Sequence, residues 1–503
     1  MRRTSETQMA ASMESDLLRA AIRLARAFCY QPGARAEIIG LFESDPRTGE
    51  AIMNCVLETF RSLDSSASAP GLGSVTGRDG NAVDRFNAEI AQCYRVRSAA
   101  YCEAGSTGAN IRLCMALKKL LGEKSLILVD NVAHLSVISG MIHGGFEVNY
   151  IPRRYNAKLD CMRPISAEDV SEAIRLAPEA KAVIVTIPSY DGFVPDLAAI
   201  RAAVGKERLL VVDAAWGALH GPLTDIGFPA SAVNAGADAA VVSLHKVGIG
   251  WSQSSAVLFN NRLLADTYYQ VSAQGFATTS PFFLAAGVAQ EDLRWLQSKD
   301  GRQIWVRVLE EIEQLRRLLS LLPGVHVISP GDIGPTVQGD PHHVLLHFGF
   351  SGANGFEVLK YLQKHFDYDA EKATPATLLL LIGPEDIGQT ENIAKMIEQA
   401  IDACAEKWKS SLATQSYPIE RVPELAPGEA FYSASELICL DEAVGRVSAQ
   451  IVASYPPGAA VIAPGMWIDT PSVEYLRSVQ QVGGRVIGLQ GSLDEPKIYV
   501  VRT

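Results

Sequence analysis

The sequence predicts an α/β protein built around a sheet of parallel strands. Short aliphatic runs alternate with segments of helical periodicity, a pattern typical of parallel strands joined by crossover helices. The runs cover residues 125–129, 182–187, 208–212, 239–243 and 255–259. Two of them lead into a reactive side chain, Asp213 and Lys246. Since ligands of such sheets bind beyond the carboxyl ends of the strands, we expect the functional site at this edge.

Breaks in these patterns divide the chain into four regions. Helical periodicity over residues 14–64 ends before the turn signal at Pro70. A long amphipathic helix near 301–322 marks the end of the first α/β region, and a polar linker begins at Lys407. The predicted regions are an N-terminal helical arm (1–69), a large domain (70–305), a smaller α+β domain (306–412) and a C-terminal α/β domain (413–503).

Bulk properties favour a cytoplasmic enzyme that acts on a small molecule. The 503 residues carry a net charge of −11 and a sequence pI near 5.4, which argues against a nucleic-acid surface and suits a cationic substrate. The apolar runs are too short for a membrane span, and the N-terminus lacks the apolar stretch of a secretory signal. The eight cysteines form no CxxC pair, which favours reduced thiols.

The segment Ser243-Leu244-His245-Lys246 is the strongest indication of chemistry in this chain. It follows an apolar run, so the sequence predicts a lysine delivered at a strand end beside a hydroxyl and an imidazole. An amine that loses its proton on burial can bond covalently to an aldehyde, and nearby donors can hold a phosphate. Pyridoxal phosphate (PLP) offers both groups. Most lysines at strand ends are simply exposed to solvent, so this interpretation of the motif depends on further features of the sequence.

Three upstream features strengthen this interpretation. Asp213 follows four aliphatic residues. If its carboxylate is buried, its charge is costly unless a cation pairs with it, and the pyridinium nitrogen of PLP is such a cation. Gly105, Ser106 and Thr107 open a helical run whose first N–H groups suit a phosphate. His134 follows a strand and is placed to stack on a planar ring. Each feature also has a structural explanation: a turn-capping aspartate, a plain helix start and a packed histidine.

In this order, the motifs resemble those of the Orn/Lys/Arg decarboxylase family of fold-type-I PLP enzymes, over roughly residues 70–490. The resemblance includes Pro188-Ser189-Tyr190-Asp191-Gly192, Thr278-Thr279-Ser280-Pro281 and the C-terminal Tyr455-Pro456-Pro457-Gly458. It implies a fold-type-I large domain with an α+β small domain and an extra C-terminal α/β domain, in a short form without an N-terminal wing. It also implies PLP as cofactor, a homodimer or larger homo-oligomer, and decarboxylation of arginine, lysine or ornithine, as in amine and polyamine synthesis.

The resemblance also implies the roles of individual residues. Lys246 is expected to bind PLP, Asp213 to pair with the ring nitrogen and His134 to stack on the ring, which makes these three the catalytic residues. In relatives, the residues that match Thr279 and Ser280 approach the PLP phosphate of the neighbouring subunit. The implied cofactor site comprises Gly105, Ser106, Thr107, His134, Asp213, Ala215, Trp216, Ser243, His245, Lys246, Thr279 and Ser280.

One departure from the family pattern bears on the reaction. A family glutamate that lies near the substrate's distal cation is replaced by Met466, which removes a charge partner for a basic side chain. Another acid then takes its place, or the chemistry has changed. Two alternatives therefore stand beside decarboxylation: a diverged PLP reaction (oxidation, elimination or cyclisation) of an arginine-like amino acid, and a non-catalytic homologue that regulates a true decarboxylase.

A cluster of histidines raises the question of a metal. His342, His343 and His347 fall in a strand-like run without a cysteine or an evident third ligand. Imidazoles in such a run are more often packed than metal-bound, so the sequence predicts no metal site.

Overall fold

The computed structural model describes residues 82–276, 283–405, 422–455, 458–481 and 484–502. The predicted N-terminal arm and the polar linker lie outside these ranges, as do Thr279 and Ser280. Across the described residues, no helix is both long and apolar enough to cross a membrane.

The large domain is an α/β layer structure around one seven-stranded sheet. The sheet has the order β1-β10-β9-β8-β6-β2-β3. Its strands are β1 (Ser98–Cys102), β2 (Leu126–Asp130), β3 (Glu147–Ile151), β6 (Ala182–Thr186), β8 (Leu209–Asp213), β9 (Ala239–Val242) and β10 (Ser255–Phe259). The helices are α1 (Ala82–Tyr94), α2 (Gly105–Leu121), α3 (Leu135–Gly144), α4 (Ala167–Leu176), α5 (Leu197–Val204), α6 (Arg262–Gly275) and α7 (Phe283–Gln297). Two short hairpin strands, β4 (Tyr155–Asn156) and β5 (Cys161–Met162), and β7 (Phe193–Val194) lie outside this sheet.

The predicted strands form, but the sheet is mixed rather than all-parallel. Strands β3, β2, β6, β8 and β9 are parallel, whereas β10 runs antiparallel to both β9 and β1. The expectation of a parallel strand at 255–259 was therefore wrong. Between β9 and β10 the chain forms a short 3₁₀ helix, Leu244–Val247, and no α-helical crossover. Without a crossover, the chain returns as an antiparallel neighbour.

Burial on both faces explains why the sheet strands are apolar throughout. Along β8, Leu210 and Val212 enter one hydrophobic core, and Val211 between them enters the other. Successive strand residues point to opposite faces, so a strand covered by helices on both sides needs apolar residues at every position. A polar residue at such a strand's end, as at Asp213, therefore marks the edge of the core.

The small domain is an antiparallel sheet with the order β11-β13-β15-β14. Its strands are β11 (His326–Val327), β13 (His343–His347), β14 (Lys372–Ala373) and β15 (Thr377–Leu381), and β12 (Gln338–Gly339) pairs with β7. Its helices are α8 (Lys299–Ser320), α9 (Pro330–Ile333), α10 (Gly355–Phe366) and α11 (Thr390–Cys404). Helix α8 places Trp305 and Val308 in the same core as the large domain, so the two units share apolar packing.

The C-terminal region has its own core and touches the edge of the main sheet. Its elements are α12 (Pro427–Tyr432), β16 (Ser435–Cys439), β17 (Val452–Tyr455), β18 (Ala459–Ile462), α13 (Thr470–Gln481), β19 (Arg485–Ile487), β20 (Gln490–Gly491) and β21 (Pro496–Val501). The amide of Leu135 donates to the carbonyl of Gly458 at 3.1 Å, and His134 bridges to Ala459. The C-terminal region is therefore fixed at the start of α3, beside the predicted site.

Candidate active site

A cavity of about 200 Å³ lies at the carboxyl ends of the parallel strands. Six of the predicted site residues line it: Ser106, His134, Asp213, Ala215, Trp216 and Lys246. The C-terminal region contributes Ser454, Tyr475 and Ser478 to the same wall. The cavity is thus built from all three parts of the described fold, which the strand-end rule by itself does not predict.

Lys246 enters this cavity from the 3₁₀ helix that follows β9. Its Nζ lies 4.4 Å from the centre of the Trp216 ring. Burial lowers the pKa of Lys246, although the negative charges of Asp213 and Glu371 oppose the shift. A lysine with a lowered pKa spends more time as the neutral amine, which is the nucleophilic form.

Asp213 is the last residue of β8 and is buried, with 3% of its surface exposed. Its carboxylate accepts from Asn110 Nδ2 at 3.2 Å and from the amide of Ala215 at 3.2 Å. Burial raises the pKa of Asp213, and the charge of Lys246 and these two hydrogen bonds lower it. A buried carboxylate held only by neutral donors needs a cation, and the protonated ring nitrogen of PLP is of that kind.

His134 and Asp213 are connected by two residues that the sequence analysis did not assign to the site. Asn110 donates to Ser136 Oγ at 3.0 Å, and Ser136 Oγ lies 2.8 Å from His134 Nδ1. The amide of Ser136 also donates to His134 Nδ1, so that nitrogen is an acceptor and the ring is neutral. Burial, followed by the charge of Lys246, lowers the pKa of His134 to about 4. The sequence did offer one signal for Asn110: a polar amide at a position on the apolar, buried face of α2.

The predicted phosphate loop begins helix α2. Gly105 has a φ of +66°, and its Cβ position faces Gln253, so glycine suits this tight entry. The residue before the helix, Ala104, gives no side-chain cap, which leaves the first N–H groups without a capping side chain. Helix starts of this kind bind phosphate through backbone N–H groups and the helix dipole. Ser106 lines the cavity, whereas Thr107 is exposed.

Ser243 and His245 lie behind Lys246 rather than in the cavity wall. Ser243 Oγ is 3.3 Å from His245 Nδ1, which in turn lies 2.9 Å from the carbonyl oxygen of Ser254. Since a carbonyl only accepts, Nδ1 of His245 carries a proton. Nε2 of the same ring takes no part in these two contacts. These contacts hold the turn that presents Lys246.

Aromatic rings close the side of the cavity next to Lys246. Trp216 packs edge-on against Tyr190, with ring centres 5.6 Å apart, and its Nε1 is buried without a hydrogen-bond partner in the described structure. The hydroxyl of Tyr190 donates to Glu371, whose charge acts on Lys246. Glu371 is a further ionisable group near the site that the sequence analysis missed.

Met466 does not line the cavity. Its side chain packs against the core that includes Ala463, and its neighbour Trp467 donates from Nε1 to Glu424 at 3.2 Å. The expected role of position 466 near a substrate's distal cation therefore has no counterpart in the cavity wall of this chain.

The histidines near residue 343 form a buried cluster with an acid. Asp340 Oδ1 lies 2.6 Å from His342 Nδ1, and Asp340 Oδ2 lies 2.8 Å from His220 Nε2. One donor atom each from Asp340, His342 and His343 lie within 4.8 Å of one another, so the sequence-based view that a third ligand is lacking was incomplete. Despite burial, His342 and His220 hold the pKa of Asp340 well below its usual value. His347 is not part of this group.

Comparison with known proteins now identifies the family. A profile of the Orn/Lys/Arg decarboxylase major domain matches residues 41–349, and the profile of the family's C-terminal domain matches residues 407–494. The chain belongs to the Orn/Lys/Arg decarboxylase family. Membership gives it pyridoxal phosphate as cofactor and makes it an enzyme of the amino-acid decarboxylase type.

Relatives in this family are similar over most of the chain. The arginine decarboxylase of Bacillus subtilis is 27% identical over 399 residues, which cover 77% of this chain and 79% of the relative. The arginine decarboxylase of Bacillus anthracis is 28% identical over 398 residues, or 76% and 78% of the two chains.

Solved structures show the same fold. Lysine decarboxylase A from Pseudomonas aeruginosa aligns with a TM-score of 0.73 at 18% identity, over 87% of this chain and 74% of that chain. The lysine decarboxylase of Francisella novicida aligns with a TM-score of 0.70 at 19% identity and the same two coverages. The predicted fold class, a fold-type-I large domain with two appended units, is confirmed.

Proposed function

We propose that this family member decarboxylates a basic L-amino acid of the arginine, lysine or ornithine class to the corresponding amine. The observation that carries the proposal is the convergence of Lys246, Asp213 and His134 on one cavity. Relatives named as arginine decarboxylases support the substrate class. The net charge of −11 also favours a cationic substrate.

The residues of the cavity fit PLP. Lys246 would hold the cofactor covalently through Nζ, and Asp213 would keep a proton on the ring nitrogen. His134 would lie against the ring, as the neutral imidazole that its low pKa favours. Backbone N–H groups at Gly105 and Ser106 would hold the phosphate.

The other proposed contacts are to the phosphate: Thr107, Ser243 and His245, with Thr279 and Ser280 from a neighbouring subunit. When bound, PLP withdraws electrons from a bond at the substrate's α-carbon, which allows CO₂ to leave.

The protein's own contribution is to orient groups, exclude water and move one proton. Ala215 and Trp216 form an apolar part of the cavity wall beside Lys246. Exclusion of water by such a surface favours loss of the substrate's charged carboxylate as CO₂. The protonated amine of Lys246 would be the buried acid that returns a proton to the α-carbon after CO₂ leaves. Its lowered pKa suits this exchange, because the amine then gains and loses a proton readily.

The alternatives lose their main support in this structure. Met466 was the sequence feature that favoured a diverged reaction, and its side chain packs in a core outside the cavity wall. A non-catalytic homologue has no need for a buried lysine, a buried aspartate and an open helix start in one cavity. Decarboxylation is therefore the function that the geometry supports best.

The test combines product identification with mapping of the cofactor. The purified protein is incubated with arginine, lysine and ornithine, and CO₂ and products are followed by mass. Borohydride should fix PLP to the peptide that contains Lys246, and Lys246→Ala should abolish both labelling and CO₂ release. Labelling of another lysine, or a product that retains its carboxylate in all three reactions, would reject the proposal.

We also propose a homodimer as the active unit, located in the cytoplasm. In relatives, the segment that matches Thr279 and Ser280 completes the phosphate site of the neighbouring subunit. The reduced state expected for scattered cysteines is compatible with that compartment.

A further inference from the structure

A basic substrate brings a second cation into the cavity, and Met466 supplies no charge to meet it. Within the described residues, three carboxylates line the cavity: Asp160, Asp191 and Asp213. Asp213 faces the cofactor position. Asp191 is already paired, since its Oδ1 lies 2.5 Å from Lys372 Nζ. Asp160 is the remaining acid.

Asp160 is a buried acid whose hydrogen bonds come from neutral donors. Its exposed fraction is 6%. Its Oδ2 accepts from Thr374 Oγ1 at 2.6 Å and from the amide of Ala376 at 2.8 Å, and its Oδ1 accepts from the hydroxyl of Tyr155. No lysine or arginine of the described ranges lies within ion-pair distance of it. A carboxylate has about four acceptor positions, so one on Oδ1 is still available.

The backbone at Asp160 also departs from the ordinary. Its φ of +50° lies in the left-handed region, at the turn between β4 and β5. Non-glycine residues in this region are uncommon, and aspartate is among those that tolerate it. The turn carries the carboxylate into a cavity wall shared with Thr374 and Pro375 of the small domain.

Glu371, a further acid near the site, is less suitable. Glu371 accepts from the Tyr190 hydroxyl and is not part of the cavity wall. It also acts electrostatically on Lys246, together with Asp213. A group that binds the far end of the substrate must lie away from that amine, and Asp160 is not among the charges that shift its pKa.

We propose that Asp160 binds the distal cation of the substrate, an ammonium or guanidinium, through the available position on Oδ1. This inference rests on the proposed function and names the group that replaces the missing family glutamate. Burying the carboxylate without a cation is unfavourable, and the bound substrate supplies the cation, so binding favours the charged side chain over a neutral one of the same shape.

The test compares charged and uncharged substrates of matched shape. Asp160→Asn keeps the volume and the tolerance of positive φ, and removes the charge. For arginine, the variant should show KM raised about tenfold or more with a smaller change in kcat, because a charge-assisted hydrogen bond to the substrate is lost. For citrulline, which replaces the guanidinium by a neutral urea, KM should change little. Lysine and norleucine form a second such pair.

Three matched variants separate charge from structure. Asp160→Glu keeps the charge and should keep the preference for arginine over citrulline. Asp191→Asn removes a second wall carboxylate and should affect both substrates alike. Met466→Glu should not improve KM for any basic substrate, since its side chain lies outside the wall.

The outcomes distinguish this inference from the proposed function. If the wild type releases CO₂ from a basic amino acid and Asp160→Asn keeps the wild-type arginine-to-citrulline ratio, the role of Asp160 is overturned. If the wild type releases no CO₂, the proposed function fails. Ligand titration of the cofactor's absorbance then still compares arginine and citrulline binding in the two proteins, and equal ratios overturn the role of Asp160.

Discussion

At the scale of single residues, burial and neighbouring charges act in opposite directions on the ionisable groups of the site. Burial lowers the pKa of Lys246 and raises that of Asp213, so each group is pushed towards its neutral form. The two charges oppose this effect on each other. Asp213 would hold the ring nitrogen of PLP, and the protonated nitrogen would supply the cation that this buried carboxylate needs. Asn110 fixes the orientation of that carboxylate.

The buried histidine cluster gives a prediction about pH. Burial, with the charge of His342, lowers the pKa of His343 from 6.5 to about 4. In the unfolded chain the ring takes up a proton below pH 6.5, whereas in the folded chain it stays neutral until about pH 4. The unfolded state thus binds more protons in this window, so the free energy of unfolding should fall as pH drops through it.

Denaturant unfolding at pH 7.5 and pH 5.0 measures this effect. We expect the loss of stability between the two values to be about 1–2 kcal/mol smaller in His343→Gln than in the wild type. His326→Gln is the control, because His326 is partly exposed and pairs with Asp332 at the surface. Equal losses in the wild type and His343→Gln would contradict the assignment. Titration of Asp340 in the folded protein does not contribute between pH 7.5 and pH 5.0, since its pKa lies well below this range.

At the scale of elements, the close crossing of α2 and α3 positions the site. Gly140 of α3 faces Cys114 of α2, and a Cβ at residue 140 would lie 2.4 Å from Cys114 Sγ. Helix α2 carries both the phosphate loop and Asn110, and α3 begins directly after His134. The glycine therefore sets the distance between the two halves of the cofactor site.

Gly140→Ala tests this role. The added methyl group must push the helices apart, which should cost about 1–3 kcal/mol of stability and weaken retention of PLP. Removing the sulfur in the double variant with Cys114→Ala should recover part of the loss. Gly287→Ala in α7 is the matched control, since no atom of the described residues lies within 4 Å of the position of its Cβ. That change should be neutral or slightly stabilising. Thermal unfolding and cofactor dialysis measure both effects, and equal behaviour of the two alanine variants would exclude the crossing as the cause.

At the scale of the whole molecule, the cavity joins parts that lie far apart in the chain. Asp160 of the large domain binds Thr374 of the small domain, and Tyr475 of the C-terminal region lines the same wall. His220 and Asp340 connect the large and small domains behind Trp216. A change in the position of one unit therefore alters the substrate's surroundings without touching Lys246.

The proposed homodimer gives the last prediction. Sedimentation should show a mass near twice 54.2 kDa. Thr279→Ala with Ser280→Ala should lower PLP affinity by about tenfold while the dimer remains, because phosphate-binding hydroxyls are lost at about 1–2 kcal/mol in total. The matched control is Ser320→Ala, on the exposed end of α8. A fully active monomer, or a double variant with unchanged PLP affinity, would contradict the prediction.

The amino-acid sequence alone predicts the alternation of strands and helices, the positions of Asp213 and Lys246 after strands, and the glycine that opens α2. These are local features: apolar runs buried on both faces, a polar residue at the core's edge and a backbone conformation that favours glycine. The family motifs added the cofactor and the order of the domains.

Contacts between residues that lie far apart in the chain depend on the tertiary structure. The antiparallel direction of β10 depends on how the chain returns after Lys246. The links from Asn110 to Asp213 and from Asp340 to His220 join residues more than a hundred positions apart. The same holds for the place of Met466 in a core and of Asp160 in the cavity. Contacts of this kind depend on the packing of whole layers, which no local pattern of residues records.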